Sequence, residues 1–202
     1  MKKNITLILI VIAFLIVGGV GFYLFENGKL PGFKSTEQVE PKINLEDKSN
    51  ILNKDNFSLE MPDGWVEVAN PQSALLTAVD TKEIITDTNA QKINFRSYFS
   101  VIPDTLGEQS KDSFYQTVKD SLNEAISDIS FTHEGKAVVD NKDNYFLEAE
   151  FNQQEIDFKI LLSINIGEKD VWIMSFNTLK SSWDNYKDVF YNTAKSLKVK
   201  QI

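Results

Sequence analysis

Hydrophobic and polar residues alternate over most of the chain after residue 56, and a period of two is typical of β-strands with one buried face. The alternation is most regular in 156–166, where every second residue is a large apolar one. The stretch 171–176 is apolar on both faces, which predicts a central strand covered from both sides. Four more strands are predicted at 74–80, 93–102, 129–139 and 144–152. Because short turns join consecutive strands, we expect them to pair antiparallel.

The segment FSLEMPDGWVEV, residues 57–68, marks the place where the alternating pattern begins. Two alternating runs flank a Pro-Asp-Gly sequence at 62–64, which predicts a strand, a tight turn and a second strand. Proline presets the φ angle of such a turn, and Gly64 accepts a backbone conformation that a Cβ disfavours. Trp65, directly after the turn, is expected to anchor one corner of the core.

Two segments show a helical period instead. In 111–127 apolar residues recur at every fourth position, with Ser110 as the N-cap. Near the end of the chain, Ser181 and Asp184 have capping-box spacing and open a second amphipathic helix. The apolar stripe of the first helix is Phe114, Val118, Leu122 and Ile126, and that of the second is Trp183, Tyr186, Phe190, Thr193 and Leu197. Strands that dominate and pair antiparallel, with one helix in the middle and one at the end, predict an α+β domain.

The beginning of the chain is apolar and uncharged over 4–25, after Lys2 and Lys3. A helix over this stretch would rise about 33 Å, enough to cross a hydrocarbon core of ~30 Å. A cleaved signal peptide is the alternative, but its apolar region is usually only ~7 to 15 residues, and the run here continues beyond the small residues around Gly18. We therefore expect an uncleaved transmembrane anchor in the cell membrane, with residues 1–3 in the cytoplasm and the rest of the protein outside.

The region 26–53 holds glycines and prolines among mixed charges and lacks a sustained apolar period, so it is predicted to be a flexible linker. A linker of this length reaches about 30 Å, which keeps the following domain close to the membrane. Residues 54–202 are then one folded domain, large enough for a hydrophobic core that needs no disulfides.

The opening motif, the mid-chain helix, the long hairpins and the closing helix follow one another in a specific order. The residues that carry this pattern are Phe57, Leu59, Pro62, Gly64, Trp65, Val171, Trp172, Ile173, Met174, Ser175, Phe176, Phe190, Lys195, Ser196 and Leu197. Over roughly 52–200 the pattern resembles the PsbP-like domain family, named for an extrinsic subunit of the photosystem II oxygen-evolving complex. The resemblance implies a central antiparallel sheet flanked by helices, an αβα sandwich. The resemblance also implies a binding or assembly role. The family includes tethered bacterial members without assigned roles.

Composition narrows the classes of function. The formal net charge is -8, and Arg96 is the only arginine. This balance disfavours nucleic-acid binding, which depends on Lys and Arg side chains placed against phosphates. The chain has no cysteine, which excludes disulfides, zinc-thiolate sites and iron-sulfur clusters, and we predict no cofactor.

Few residues show a pattern associated with catalysis. His133, the only histidine, lies beside Glu134 without a nucleophile motif or metal-ligand spacing, so we predict a surface or half-buried residue. Glu148 and Glu150 share one face of a predicted strand. A glycosidase pair needs a cleft of defined width, for which the sequence gives no evidence, so we expect that face to be exposed.

Two groups of oxygen-bearing side chains could bind calcium weakly, but neither matches the calcium-loop pattern. The first group is Asp140, Asn141, Asp143 and Asn144, and the second is Asp80, Glu83, Asp87 and Asn89. Acidic turns in an acidic protein are more often solvated, and we expect that here. No catalytic, cofactor-binding or metal-binding residue is therefore assigned.

These observations predict a membrane-anchored, outward-facing domain that binds or assembles a protein partner without catalysis. The alternative is an envelope-associated enzyme, or a small-ligand or metal-binding domain, whose site is assembled from residues distant in sequence. A deep pocket with convergent polar groups would favour the alternative, whereas a flat or shallow surface would favour partner binding.

Overall fold

The structure, a computed structural model, describes residues 50–69 and 74–200. The predicted anchor at 4–25 and most of the predicted linker lie outside these residues, so the anchor and its orientation stay predictions. No helix within the described ranges is long and apolar enough to cross a membrane.

Ten strands and three helices make up the described part of the chain. The strands are β1 (Ile51–Asn53), β2 (Phe57–Glu60), β3 (Trp65–Glu67), β4 (Leu76–Asp80), β5 (Tyr98–Thr105), β6 (Ser130–Val139), β7 (Lys142–Gln153), β8 (Ile156–Ile166), β9 (Asp170–Leu179) and β10 (Lys198–Val199). The helices are α1 (Thr88–Lys92), α2 (Lys111–Ala125) and α3 (Trp183–Lys195), and a 3-10 turn at Lys180–Ser182 precedes α3.

Seven strands form one antiparallel sheet in the order β3-β4-β5-β9-β8-β7-β6. The central position belongs to β9, whose residues are buried on both faces, as its apolar sequence predicts. Turns with positive φ at Asp140 and Asn141 join β6 to β7, and the same geometry at Gln154 and Glu155 joins β7 to β8. These hairpins confirm that β6, β7, β8 and β9 pair in chain order.

Three short strands form a second sheet, in the order β1-β2-β10. Strands β2 and β3 flank the predicted turn, yet they do not pair with each other because they belong to different sheets. Trp65 begins the large sheet with its ring 5.6 Å from that of Phe99, which confirms its role in the core. Strand β1 lies at the end of the range 26–53 that the sequence predicts as a linker, and its pairing with β2 places 51–53 in the folded domain.

The large sheet is covered on both faces. On one face, α2 packs through Phe114, Val118 and Leu122 onto alternate residues of β7, β8 and β9. On the other face, α3 and the small sheet pack onto a second core that is rich in aromatic rings. This arrangement is a central antiparallel sheet flanked by helices, as predicted. Helix α2 begins as predicted, because Ser110 Oγ accepts a hydrogen bond from the backbone N–H of Ser113.

Two local predictions are wrong. The capping box of Ser181 and Asp184 does not form, because the chain enters α3 through the 3-10 turn and Ser182 occupies the N-cap without a side-chain hydrogen bond. The strand predicted at 93–102 begins only at Tyr98. The short helix α1 ends at Lys92, just before the predicted strand, and the sequence did not predict this helix.

Candidate functional site

Polar side chains cross the large sheet in one row, on the face that α3 covers. The row consists of neighbouring residues on β7, β8 and β9, the residue just before β5 and the last residue of β4. We call it the polar row: Glu150, Lys159, Thr178, Ser97 and Asp80. Lys159 lies directly opposite Glu150 on one side and Thr178 on the other. Such a row is unusual beneath a helix, because buried polar groups need hydrogen-bond partners to offset their lost hydration.

One half of the polar row is a hydrogen-bonded network around Ser97. The Ser97 hydroxyl is 2.7 Å from that of Thr178 and donates to the Glu83 carboxylate at 2.9 Å. Ser97 and Thr178 are both fully buried. Burial raises the pKa of the Glu83 carboxyl, although hydrogen bonds from Ser97 oppose that shift. The network therefore ties the loop after β4 to the centre of the sheet.

Tyr186 connects α3 to the same half of the row. Its hydroxyl donates a 2.7 Å hydrogen bond to the Asp80 carboxylate. Burial, followed by this hydrogen bond, raises the pKa of the Tyr186 hydroxyl, so the side chain remains a neutral donor at ordinary pH.

The other half of the row is charged. Lys159 Nζ lies 3.0 Å from the carboxylate of Glu150 and 3.4 Å from that of Glu148. The Trp183 ring of α3 covers this ammonium at 4.7 Å. Lys180 forms a second ion pair with Glu150, at 2.6 Å, and its hydrogen bond is the main reason that the pKa of Glu150 is lowered.

The expectation that Glu148 and Glu150 lie on an exposed face is wrong. The Glu148 side chain is only 4% exposed, because α3 lies over this part of β7 and the Tyr191 hydroxyl donates to its carboxylate at 2.8 Å. Glycosidase chemistry needs two carboxyl groups on either side of a bound sugar. Here both carboxylates are bonded to Lys159, which lies between their strand and Trp183.

His133 is an exposed residue of the edge strand β6, which confirms the prediction for this side chain. It lies across from Glu148 in the strand register, and the Glu148 carboxylate is bonded to Tyr191 and Lys159 instead. The structure therefore does not join His133 to the polar row.

The first oxygen-rich group has structural partners. Asp140 accepts a 2.9 Å hydrogen bond from the backbone of Val199 in β10, and Asp143 pairs with Lys111 of α2 at 2.6 Å. Asn144 is fully buried, contrary to the expected solvated turn, because β7 continues through it into the sheet.

The second group also has partners within the domain. Asp87 caps α1 by accepting hydrogen bonds from the backbone of Asn89 and Ala90. Asp80 and Glu83 bind Tyr186 and Ser97, as described above. Among the residues that the structure describes, no three His, Asp or Glu side chains are arranged to hold a metal ion.

Two buried amides retain unpaired atoms under the small sheet. Asn144 and Asn165 are opposite each other on β7 and β8. Asn144 accepts from the Ser163 hydroxyl and Asn165 donates to the Val139 carbonyl, but Asn144 Nδ2 and Asn165 Oδ1 have no hydrogen-bond partner within the described ranges. One of these atoms is a hydrogen-bond donor and the other is an acceptor.

An open depression of about 300 Å³ lies beside the charged half of the row. Its lining is Asp87, Glu155, Asp157, Leu179, Lys180 and Ser181. This volume is at the lower limit of ligand pockets, which measure roughly 300 to 1,000 Å³. Lys180 belongs to both features, since it lines the depression and pairs with Glu150.

The sequence did not identify the polar row as a unit. Ser97 and Thr178 are separated by 81 residues, and Tyr191 and Glu148 by 43. The one local signal is a polar residue within an otherwise apolar strand, as at Thr178 in β9. That signal indicates a buried hydrogen bond without naming its partner.

Solved structures with a similar fold include three bacterial proteins. LpqN of Mycobacterium tuberculosis, described as involved in cell envelope biogenesis, is 11% identical with a TM-score of 0.60, over 78% of this chain and 88% of its own. Cyanobacterial PsbP (CyanoP) of Synechocystis sp. PCC 6803 is 15% identical with a TM-score of 0.56, over 81% and 100%. PA94 of Pseudomonas aeruginosa, a protein of unknown function, is 10% identical with a TM-score of 0.54, over 76% and 99%. At these identities the similarity shows the fold alone.

No curated protein sequence matches this chain. The PsbP family model matches residues 50–199, from the residue before β1 to the end of β10. This match covers most of the sequence and the whole antiparallel sheet, and it agrees with the motifs from Phe57 to Leu197. The chain belongs to the PsbP family.

Proposed function

We propose that this PsbP-family domain is a non-catalytic binding or assembly module that contacts a protein partner outside a cell membrane, to which residues 4–25 anchor it. The observation that carries the proposal is that the charged groups of the polar row already have partners within the domain. The row's carboxylates, Glu150 and Asp80, are bonded to lysine and tyrosine side chains, its Ser97 hydroxyl is bonded to Glu83, and α3 lies over the row. A satisfied network of this kind holds elements together, and it leaves the outer surface of the domain for contacts.

One of the similar structures is described with an envelope-related role. LpqN is described as a protein of cell envelope biogenesis, and CyanoP is a cyanobacterial PsbP. An envelope role for this chain agrees with the uncharged stretch at 4–25 and with an acidic domain behind a linker.

A contact point for the partner is Ile84, in the loop between β4 and α1. Its side chain is 87% exposed, although both neighbours are fixed: Glu83 binds Ser97, and Ile85 is buried in the small core around α1. The loop therefore holds an apolar side chain outward in a defined position. Preorganised apolar anchors of this kind are typical of binding hot spots, because little conformational entropy is lost on contact.

The test is cross-linking and co-purification of the full-length protein from its native membrane, beside the variants I84S and V66S. Val66 is the matched control, since it is an apolar residue of β3 that is 49% exposed. We expect one protein to be enriched with the wild type and with V66S, and to be reduced roughly tenfold with I84S. Equal enrichment with I84S would show that the partner uses another surface.

The depression beside Lys180 is the observation that favours the alternative, a small-ligand site. If no protein is enriched above background with the wild type, the proposed partner-binding role is wrong. The depression lined by Asp87, Asp157 and Lys180 then becomes the place to test for a ligand.

A further inference from the structure

Strand β6 forms one edge of the large sheet and pairs only with β7 among the described strands. It is ten residues long, whereas β3 at the opposite edge has only three residues. Strand β6 also contains no proline. Long edges carry unpaired backbone N–H and C=O groups, and proteins usually shorten or block them. A register shift between Phe131 and His133 interrupts the first part of β6, which leaves 133–139 as a regular free edge.

The charges along this edge are self-complementary. When a strand pairs antiparallel with its own copy, the two-fold axis is perpendicular to the sheet and each face is preserved. With Gly135 on the axis, Glu134 lies opposite Lys136 of the second copy, and this pair occurs twice. With Glu134 or Lys136 on the axis, like charges oppose each other, which is destabilising. Among the three registers centred on Glu134, Gly135 or Lys136, only the one with Gly135 on the axis pairs opposite charges.

Contacts with α2 hold both charged side chains in place. Glu134 accepts hydrogen bonds from Tyr115 and Lys119, at 2.6 and 2.7 Å, and Lys136 pairs with Asp112 at 2.8 Å. Their side chains are nevertheless 45% and 64% exposed, so each can also meet a charge from a neighbouring strand.

Gly135 has room for a side chain at the centre of the edge. A Cβ built on this residue would meet nothing nearer than the His133 ring, at 3.6 Å. A cysteine at position 135 therefore fits without displacing its neighbours, which makes this position suitable for a covalent probe.

We infer that the domain pairs with a second copy of itself through β6, in the register that places Gly135 on the two-fold axis. The two large sheets then form one continuous antiparallel sheet. This inference concerns pairing between two copies of this chain, and it does not depend on the proposed partner at Ile84.

The position of the small sheet suits two chains in one membrane. Strand β1 packs through Leu52 on the face of the large sheet that α3 covers, and the preceding segment joins it at Asn50. A two-fold axis perpendicular to the sheet keeps both small sheets on the same side. Asn50 of both copies therefore lies on the same side of the joined sheet, as two anchors in one bilayer require. This point rests on the proposed anchor.

Pairing over 133–137 is short, so we expect a weak dimer in solution. Two chains confined to one membrane surface have a higher effective concentration, which favours the dimer without any new contact. A covalent trap is therefore the suitable probe.

The first test uses single cysteines, because the natural chain has none. In the proposed register position 135 faces its own copy, with Cβ atoms ~4.5 to 5.5 Å apart. Mild oxidation of full-length G135C in its native membrane should give a disulfide-linked dimer. The matched control is A137C on the same edge and face, whose two cysteines would be offset by about 13 Å and should remain monomeric.

The second test reverses the charges in detergent-solubilised full-length protein. We expect E134K alone and K136E alone to lower the dimer association constant roughly tenfold, because each places like charges opposite one another. We expect the E134K/K136E double variant to restore it. The contacts with Asp112 and Lys119 remain mismatched in the double variant, so restored dimer with reduced thermal stability identifies the pairing between chains.

Three results would overturn the inference. Trapping of A137C as readily as G135C would exclude the register, and a double variant as weak as the single ones would exclude the charge pairing. Cross-linking of G135C to a different protein would show that β6 accepts a partner's strand instead of its own copy.

Discussion

Lys159 is the cation that the buried Glu148 and the half-buried Glu150 share. It lies beneath Trp183 with a side chain only 12% exposed, between Glu148 and Glu150. Replacing one member of a buried charged group leaves the others without compensation, which typically costs about 3 kcal/mol or more. We therefore expect K159M to lower the free energy of unfolding by about 3 kcal/mol, measured by urea denaturation.

Lys187 provides the matched control for that variant. Its ammonium lies 3.9 Å from Glu148, but its side chain is 50% exposed, so water competes for the charge. K187M should cost less than about 1 kcal/mol. Similar losses for K159M and K187M would show that the buried cation is not what stabilises this side of α3.

Glu83 predicts a pH dependence. Burial raises its pKa above the ordinary value of 4.5, so the folded protein binds this proton more tightly than the unfolded chain does. Its contribution to stability is fully present below that ordinary pKa and is lost as the pH rises through the raised pKa of the folded state. E83Q cannot titrate, and its amide oxygen can still accept from the Ser97 backbone.

The difference in urea midpoint between E83Q and the wild type should therefore grow in favour of E83Q as the pH rises from ~4, and then reach a plateau. E60Q, at an exposed glutamate, is the control that makes the same chemical change outside this network. A constant difference between E83Q and the wild type over that range would contradict the raised pKa.

At the scale of elements, the sequence predicted the side of the strands that α2 covers. Every second residue of β8 is apolar, and those residues form the core against α2. The opposite face holds Glu148, Ser163 and Asn165, which look solvent-exposed in sequence but are buried. Alternation shows that one face is apolar, but it does not show that a second layer covers the other. That layer comes from α3 and the small sheet, which are distant in sequence.

The shortest elements could not be predicted for a related reason. Helix α1 has five residues, and β1 and β10 have three and two. Segments this short show no measurable period. Their stability comes from partners elsewhere in the chain, such as β2, which pairs with both β1 and β10.

The two helix starts give a direct test of capping. Ser110 Oγ accepts from the backbone of Ser113, whereas Ser181 lies in the 3-10 turn and makes no cap hydrogen bond for α3. We expect S110A to cost about 1 kcal/mol in the free energy of unfolding. S181A, the control with the same chemical change, should cost less than about 0.5 kcal/mol. A larger loss of unfolding free energy for S181A than for S110A would indicate that the capping box predicted from the sequence does form.

For the whole molecule, the small sheet brings both ends of the domain together. Strand β10 pairs with β2, so that Val199 lies opposite Phe57. Asp140, at the turn between β6 and β7, accepts a hydrogen bond from the Val199 backbone and joins β10 to the large sheet. Phe57 is fully buried with its ring 5.6 Å from that of Trp172 in β9. The contacts of Phe57 thus connect the first strands, the last strand and the centre of the large sheet.

If these contacts make the two sheets one cooperative unit, F57A should destabilise the entire domain. Removing a buried phenylalanine ring costs roughly 3 to 5 kcal/mol, and tryptophan fluorescence and far-UV circular dichroism should still report the same urea midpoint. I51A is the control: Ile51 lies on the outer side of β1, 48% exposed, and its loss should cost less than about 1 kcal/mol. Two separate transitions in F57A would instead mean that the small sheet unfolds independently of the large sheet. Force applied to the chain before Asn50 would then unfold the small sheet before the large sheet.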